Sequence, residues 1–132
     1  MIRLANSGDF KEIKRIANQN REFIGFVMNV ALEESVKNES LLVIEKYYEI
    51  VGFIHYHPRK DGWNTIHEIA IDKNYQGMGF GQQLFDEVPL PIRLKTTKDN
   101  VNAISFYEKN GMILVRTEQG KKRELLVFEK NI

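Results

Sequence analysis

The sequence predicts an α/β fold: one domain over residues 1–132, with a mixed sheet of about seven strands flanked by about four helices. Three observations lead there. Apolar residues switch repeatedly between alternate spacing, the mark of a half-buried strand, and three-to-four spacing, the mark of an amphipathic helix. One strand runs through a loop with three glycines directly into a helix. The length of 132 residues suits one domain with a sizeable core, and there is no repeat, low-complexity tract or linker.

Ile2 and Leu4 alternate with polar neighbours and open the chain as a short strand. Asn6, Ser7 and Asp9 supply helix-start chemistry, and Phe10, Ile13, Ile16 and Ala17 follow at helical spacing. A second helical stretch carries Phe23, Phe26, Val27, Val30, Ala31 and Val36 and closes near Asn38 and Ser40. Leu41 to Glu45 and Ile50 to His57 read as a hairpin across the Lys46 to Glu49 connection. A charged turn, Arg59 to Gly62, leads into a strand from Trp63 to Ile71. Beyond the glycine loop, a helix from about Gly81 to Val88 is stopped by Pro89 and Pro91, since proline has no N–H to continue it. Ile92 to Thr97 is extended, and Asn100 to Lys109 is helical with Gly111 as its stop. Met112 to Arg116 then pairs with Glu124 to Glu129 across a polar turn at Gln119 to Lys122.

Composition removes several function classes. Nineteen basic residues against eighteen acidic ones give a net charge of +1, without the concentrated basic face of a nucleic-acid binder. The absence of cysteine excludes disulfides, thiolate metal sites and a cysteine nucleophile, so any acyl transfer runs without a cysteine-linked acyl-enzyme. Asn6, Asp9, Lys11 and Glu12 interrupt the first dozen residues, unlike a signal peptide. The apolar stretch Phe23 to Leu32 contains Asn29 and is too short to span a bilayer. A cytoplasmic location with no membrane partner is the expectation.

Ile69 through Leu84 is the most informative segment. Gly77, Gly79 and Gly81 sit at alternate positions between a strand and a helix. Such a loop leaves N–H groups unpaired at a helix start, where the helix dipole also favours an anion. Phosphate or pyrophosphate is the natural guest, and glycine lets the backbone approach it closely. A nucleotide P-loop requires Gly-Lys-Ser/Thr, but this loop ends Gly81-Gln82-Gln83. The dinucleotide fingerprint requires Gly-x-Gly-x-x-Gly, and the spacing here is Gly77-x-Gly79-x-Gly81.

Gln76-x-x-Gly79-x-Gly81 resembles the coenzyme A signature of the GCN5-related N-acetyltransferases, Arg/Gln-x-x-Gly-x-Gly/Ala. Downstream, Asn100 to Met112 resembles the family's Asn-x-x-Ala-x-x-Phe-Tyr-x-x-x-Gly-Phe segment, with Met112 in place of the usual phenylalanine. The resemblance implies a mainly antiparallel sheet whose central parallel pair splays apart to admit acetyl-coenzyme A as cosubstrate, with a primary amine as acceptor. It implies main-chain contacts from Ile69, Ala70 and Ile71 to the pantetheine arm. It implies a pyrophosphate cradle from Gln76, Gly77, Met78, Gly79, Phe80, Gly81 and Gln82, acting through backbone N–H groups. Asn100 resembles the asparagine that bonds the pantetheine arm, although an asparagine there also serves as a helix N-cap. Tyr107 matches the family tyrosine beside the thioester sulfur, where a phenol protonates the departing thiolate. Homodimers are common in the family, which leaves a homodimer open.

Acetylation needs a neutral amine, so a general base must take its proton. Glu68, on the strand next to the expected thioester position, is the first candidate. Some family members have a glutamate where this chain has Lys95, and a protonated lysine is no base. The main-chain N–H of Ile71 is the expected oxyanion donor. His55, His57 and His67 lie on neighbouring strands; His67-Glu68-Ile69-Ala70-Ile71 lacks the second histidine of a zincin motif, so no metal is expected. Arg21 to Met28 falls where the family's early helices wall the acceptor pocket, and Lys121-Lys122-Arg123 reads as a solvated turn. A non-catalytic acyl-coenzyme A binder or regulatory protein is the alternative, motivated by the unsettled base and the short helix before Pro89 and Pro91.

Overall fold

The computed structural model describes residues 1–24 and 27–132. The elements in chain order are β1 (Ile2–Leu4), α1 (Phe10–Gln19), α2 (Asn29–Lys37), β2 (Leu41–Lys46), β3 (Glu49–Pro58) and β4 (Asn64–Ile71). They continue with α3 (Phe80–Phe85), β5 (Ile92–Thr97), α4 (Val101–Lys109), β6 (Ile113–Gln119) and β7 (Glu124–Lys130). The expected mixed sheet of seven strands and the four α-helices are present, in the expected order.

Sheet order is β1-β2-β3-β4-β5-β7-β6. Every neighbouring pair is antiparallel except β4 and β5. That parallel pair is in register only at Asn64↔Ile92 and Thr65↔Arg93. The remaining residues of β4 and β5 have no partner in each other, so the two strands part toward their C-terminal ends. This is the splay the sequence resemblance implies.

Two apolar layers hold the sheet between helices. On one face, Phe10, Ile13, Ile16 and Ala17 of α1 and Leu32 of α2 close over Leu41, Val43, Phe53 and Ala70. On the other, Leu84 and Phe85 of α3 and Tyr107 of α4 pack with Ile54, Tyr56, Ile66, Leu94 and Phe128. The alternation of strand side chains decides which residue serves which layer: Phe53 faces one, Ile54 the other.

Local chemistry differs from the sequence expectation in three places. The second helix starts at Asn29, because α1 ends in turns at Asn20, whose carbonyl receives both Phe23 N–H and Ile24 N–H. Phe23 therefore sits in a turn, and Phe26 lies outside the described residues. The α3 helix stops at Phe85, and Glu87 and Val88 close tighter turns onto Leu84 and Phe85 before Pro89. The β2–β3 connection is a two-residue turn with Tyr47 and Tyr48 both left-handed (φ 52° and 67°), a conformation usually left to glycine or asparagine.

A β-bulge shapes the middle of the sheet. His55 opposes Glu68 and Tyr56 opposes Ile66, leaving His67 as the extra residue in β4. His67 and Glu68 consequently lie on one face of the sheet, together with His55 and His57.

Candidate active site

At the parting of β4 and β5, Asp72 anchors the start of the glycine loop. Its carboxylate accepts the Asn74 N–H at 2.9 Å and the Arg15 guanidinium of α1 at 2.7 Å. These bonds hold the Asp72 carboxyl below the usual carboxylate range, the Asn74 N–H first and the Arg15 bond second. The loop is tied further by Gln76 Nε2, which donates to the Ile71 carbonyl at 3.1 Å, and by the Lys73 N–H, which donates to Gln19 Oε1 at 3.0 Å.

Asp72→Asn is expected to cost about 1–3 kcal/mol at neutral pH, because a buried acceptor for two donors is weakened. The sign in pH follows from the lowered carboxyl. Its stabilisation is complete above the unfolded value near 4 and fades as pH falls through the lower folded value. The gap between wild type and variant in urea denaturation should therefore narrow below about pH 4. A gap that is constant from pH 7 to pH 3 would contradict it.

Gly77 and Gly79 take left-handed conformations, φ 78° and 86°. A Cβ built at either meets no atom within 4 Å, so the backbone there faces open space. Gly79 is the N-cap of α3, and the N–H groups of Phe80, Gly81 and Gln82 have no carbonyl a turn earlier to receive them. Both conditions for an anion cradle are met by the main chain alone.

The cradle opens into a cleft of about 560 Å³. Ile69, Ala70 and Ile71 line it, with Gln76, Gly77, Gly79, Phe80, Gly81, Gln82 and Asn100. All are expected from the sequence. Met78 is exposed and does not line the cleft. Asn20, Phe23, Tyr75, Asn102, Ala103 and Phe106 complete the walls. Ala103 and Phe106 follow from Asn100 at helical spacing, a signal the sequence does carry. Asn20 and Tyr75 reach the cleft through turns that no sequence pattern marks.

Asp72 N–H bonds the Val51 carbonyl across to β3. Neighbouring strand residues aim their N–H groups in opposite directions, so Ile71 N–H points into the parting. Asn100 sits at the N-cap of α4, yet its side chain caps nothing. Its Nδ2 donates to Thr96 Oγ1 at 3.1 Å, which anchors the amide on the cleft wall.

Tyr107 does not line the cleft but lies beside it, buried, with its ring edge-on to Phe106 and tilted against Phe128. Burial pushes its phenol pKa up to about 12. Glu68 sits on the opposite face of the sheet, three residues past the last register pair of the parallel strands. Its Oε2 lies 2.6 Å from His55 Nδ1. Tyr107 and Glu68 thus flank the parting from its two sides.

Lys95 is engaged with Glu118 at 2.7 Å. Arg123 of the β6–β7 turn pairs with Asp99 at 3.2 Å. The rings of His55 and His67 are 5.3 Å apart, and those of His57 and His67 6.2 Å. Partial desolvation, and then the nearby His55, lower the His67 pKa. Among the described residues no group of three or more His, Cys, Asp or Glu side chains is placed to hold a metal ion, and no helix is long and apolar enough to cross a membrane.

Comparison with solved structures finds the same architecture. Ard1 from Thermoplasma volcanium superposes with a TM-score of 0.87 at 22% identity, covering 98% of this chain and 95% of that one. Naa50 from Arabidopsis thaliana, in complex with the bisubstrate analogue CoA-Ac-MVNAL, gives 0.80 at 18% identity, over 100% and 98%. The ribosomal-protein-alanine N-acetyltransferase of Brucella melitensis gives 0.78 at 18% identity, over 100% and 99%. At such identities these likenesses establish the fold. No curated protein matches the chain by sequence. The acetyltransferase (GNAT) domain profile matches residues 37–111, more than half of the chain, from the end of α2 through the glycine that stops α4. With glycine cradle, parted strands and profile in agreement, the chain belongs to the GNAT acetyltransferase family.

Proposed function

We propose that the protein transfers the acetyl group of acetyl-coenzyme A directly to a primary amine, within a ternary complex. The observation that carries this is the continuity of the cradle with the parting: one cleft runs from the N–H groups of α3, past Ile69 to Ile71, to Asn100. Acetyl-coenzyme A has that same sequence of parts, an anionic pyrophosphate, an extended amide-bearing arm and a thioester. The Naa50 neighbour binds a coenzyme A conjugate of an acetylated peptide, and a peptide amine is accordingly the first acceptor to test.

The residues divide the work by position. Phe80, Gly81 and Gln82 N–H groups hold the pyrophosphate, and the inner edge of β4 pairs with the pantetheine amides. Ile71 N–H stabilises the oxyanion formed when the amine attacks the thioester carbonyl. Glu68 takes the proton lost by the amine, directly or through one water. Tyr107 gives its proton to the sulfur as the carbon–sulfur bond breaks, and coenzyme A leaves as a thiol.

Thiol release from acetyl-coenzyme A tests this, with the peptide Met-Val-Asn-Ala-Leu, lysine peptides, polyamines and simple alkylamines as acceptors. Turnover of at least one amine is expected, together with calorimetric binding of coenzyme A. Tight binding without turnover of any acceptor would point instead to a non-catalytic acyl-coenzyme A binder. No binding at millimolar coenzyme A would overturn both readings.

A further inference from the structure

We propose that His55 and Ser35 are positioning residues for the transfer reaction, a buried chain that runs from α2 through β3 and aims the Glu68 carboxylate at the acceptor; this rests on the reading of Glu68 as the proton acceptor. His55 touches two partners at once. Its Nδ1 is 2.6 Å from Glu68 Oε2, and its Nε2 is hydrogen-bonded to Ser35 Oγ. Ser35 and His55 are 5% and 6% exposed, whereas the Glu68 side chain is 21% exposed. The chain is dry at one end and reaches water only at the carboxylate.

Hydrogen-bond logic gives its direction when the ring carries a single N–H. An ionised carboxylate only accepts, so His55 Nδ1 carries the hydrogen and donates. A neutral ring then accepts at Nε2, and the Ser35 hydroxyl is the donor. Ser35 therefore selects the tautomer, and the tautomer serves Glu68. The wiring resembles that of a serine–histidine–carboxylate triad, but the exposed member here is the carboxylate, not the serine. Ser35 is buried and attacks nothing; the working end is Glu68.

His55 occupies Oε2, which leaves Oε1 as the second acceptor of the carboxylate. A proton taken from the attacking amine goes to Oε1, and from there to water after the product leaves. The bulge at His67 contributes, because it turns both His67 and Glu68 onto the face that carries His55. His67 on β4 stands beside the pair and feels His55, Glu68, His57 on β3 and Arg59 of the β3–β4 turn, while α2 presents the uncharged Ser35 to His55.

The test measures kcat and KM against pH for His55→Leu, His55→Asn, Ser35→Ala and Glu68→Gln, with the best acceptor from the panel above. Coenzyme A affinity and melting temperature are measured alongside. His55→Leu should lower kcat about 100-fold with the KM for acetyl-coenzyme A unchanged. The loss should fall on kcat and leave coenzyme A affinity alone, because the bond that is removed holds Glu68 Oε2 and touches no cofactor-lining residue. His55→Asn places an amide N–H where Nδ1 stands, and should recover kcat to within about tenfold of wild type. Ser35→Ala should cost about three- to tenfold. Imidazole 15N NMR adds a readout that folding does not move: the Nδ1–H tautomer of His55 in wild type, mixed tautomers in Ser35→Ala.

Equal losses in His55→Leu and His55→Asn would overturn the proposal, as would an Nε2–H tautomer in wild type. Glu68→Gln inactive beside a fully active His55→Leu would remove the relay but keep Glu68 as base. Wild-type turnover in Glu68→Gln would remove both, and a panel without turnover would remove the transfer reaction itself.

Discussion

Replacing Tyr107 with phenylalanine is expected to lower kcat about 100- to 10,000-fold, the usual range for loss of an acid in the transition state. The Kd for coenzyme A should stay within about a factor of two, because the proton is given up only as the carbon–sulfur bond breaks and not on binding. The phenol starts out protonated, although burial also makes it a weaker acid. Burial pushes its pKa up to about 12, so the group keeps its proton throughout the neutral range and has one to give as the thiolate departs. The sign for pH is plain: wild-type activity should show no alkaline limb from this group below about pH 11. Phenylalanine fills the same space among Phe106 and Phe128, so the melting temperature should hardly move. An unchanged kcat would take Tyr107 out of the chemistry.

Gly79→Val is expected to weaken coenzyme A binding by one to two orders of magnitude or more. Gly79 has φ 86°, which costs a side-chain-bearing residue about 1–2 kcal/mol, and a β-branched one is the worst choice. The loop must shift to relieve it, and the N–H groups of α3 shift with it. Each hydrogen bond from these groups to the charged pyrophosphate is worth about 1.5–3 kcal/mol, and about 1.4 kcal/mol is tenfold in Kd. Gly81→Ala is the control. A Cβ there meets Phe106 at 3.6 Å, an ordinary van der Waals distance, so binding should be close to normal. Calorimetry with coenzyme A checks both; equal affinities in the two variants would mean the loop conformation does not matter to the ligand.

What can be read from the sequence is local chemistry. The strand–glycine–helix segment announces itself because left-handed turns and free helix N–H groups need particular residues within a few positions. Ile92 to Thr97 has the same bounds in sequence and structure because Pro91 marks its start. Chance spacing misleads elsewhere: Phe23 matches the helical period of Val27 and Val30, but the turn set by Asn20 carries no periodic signal. Nothing in Tyr47-Tyr48 resembles the Asn-Gly of a two-residue hairpin turn, although the turn is one. The Ser35–His55–Glu68 chain is beyond reach for a different reason. It joins residues 20 and 13 positions apart and depends on a one-residue bulge that no local pattern marks.

The parting of β4 and β5 has a consequence for what this sheet can join. An unpaired strand edge usually invites other protein strands, and proteins guard their outer edges with charge, proline or short strands. Here two such edges face each other in the interior of the sheet, with the helical layers above and below. Each inner edge offers backbone amides with which an extended molecule bearing amides can pair. Placement inside the sheet, rather than any guarding side chain, keeps these two edges away from the outer rim where another sheet would pair with them.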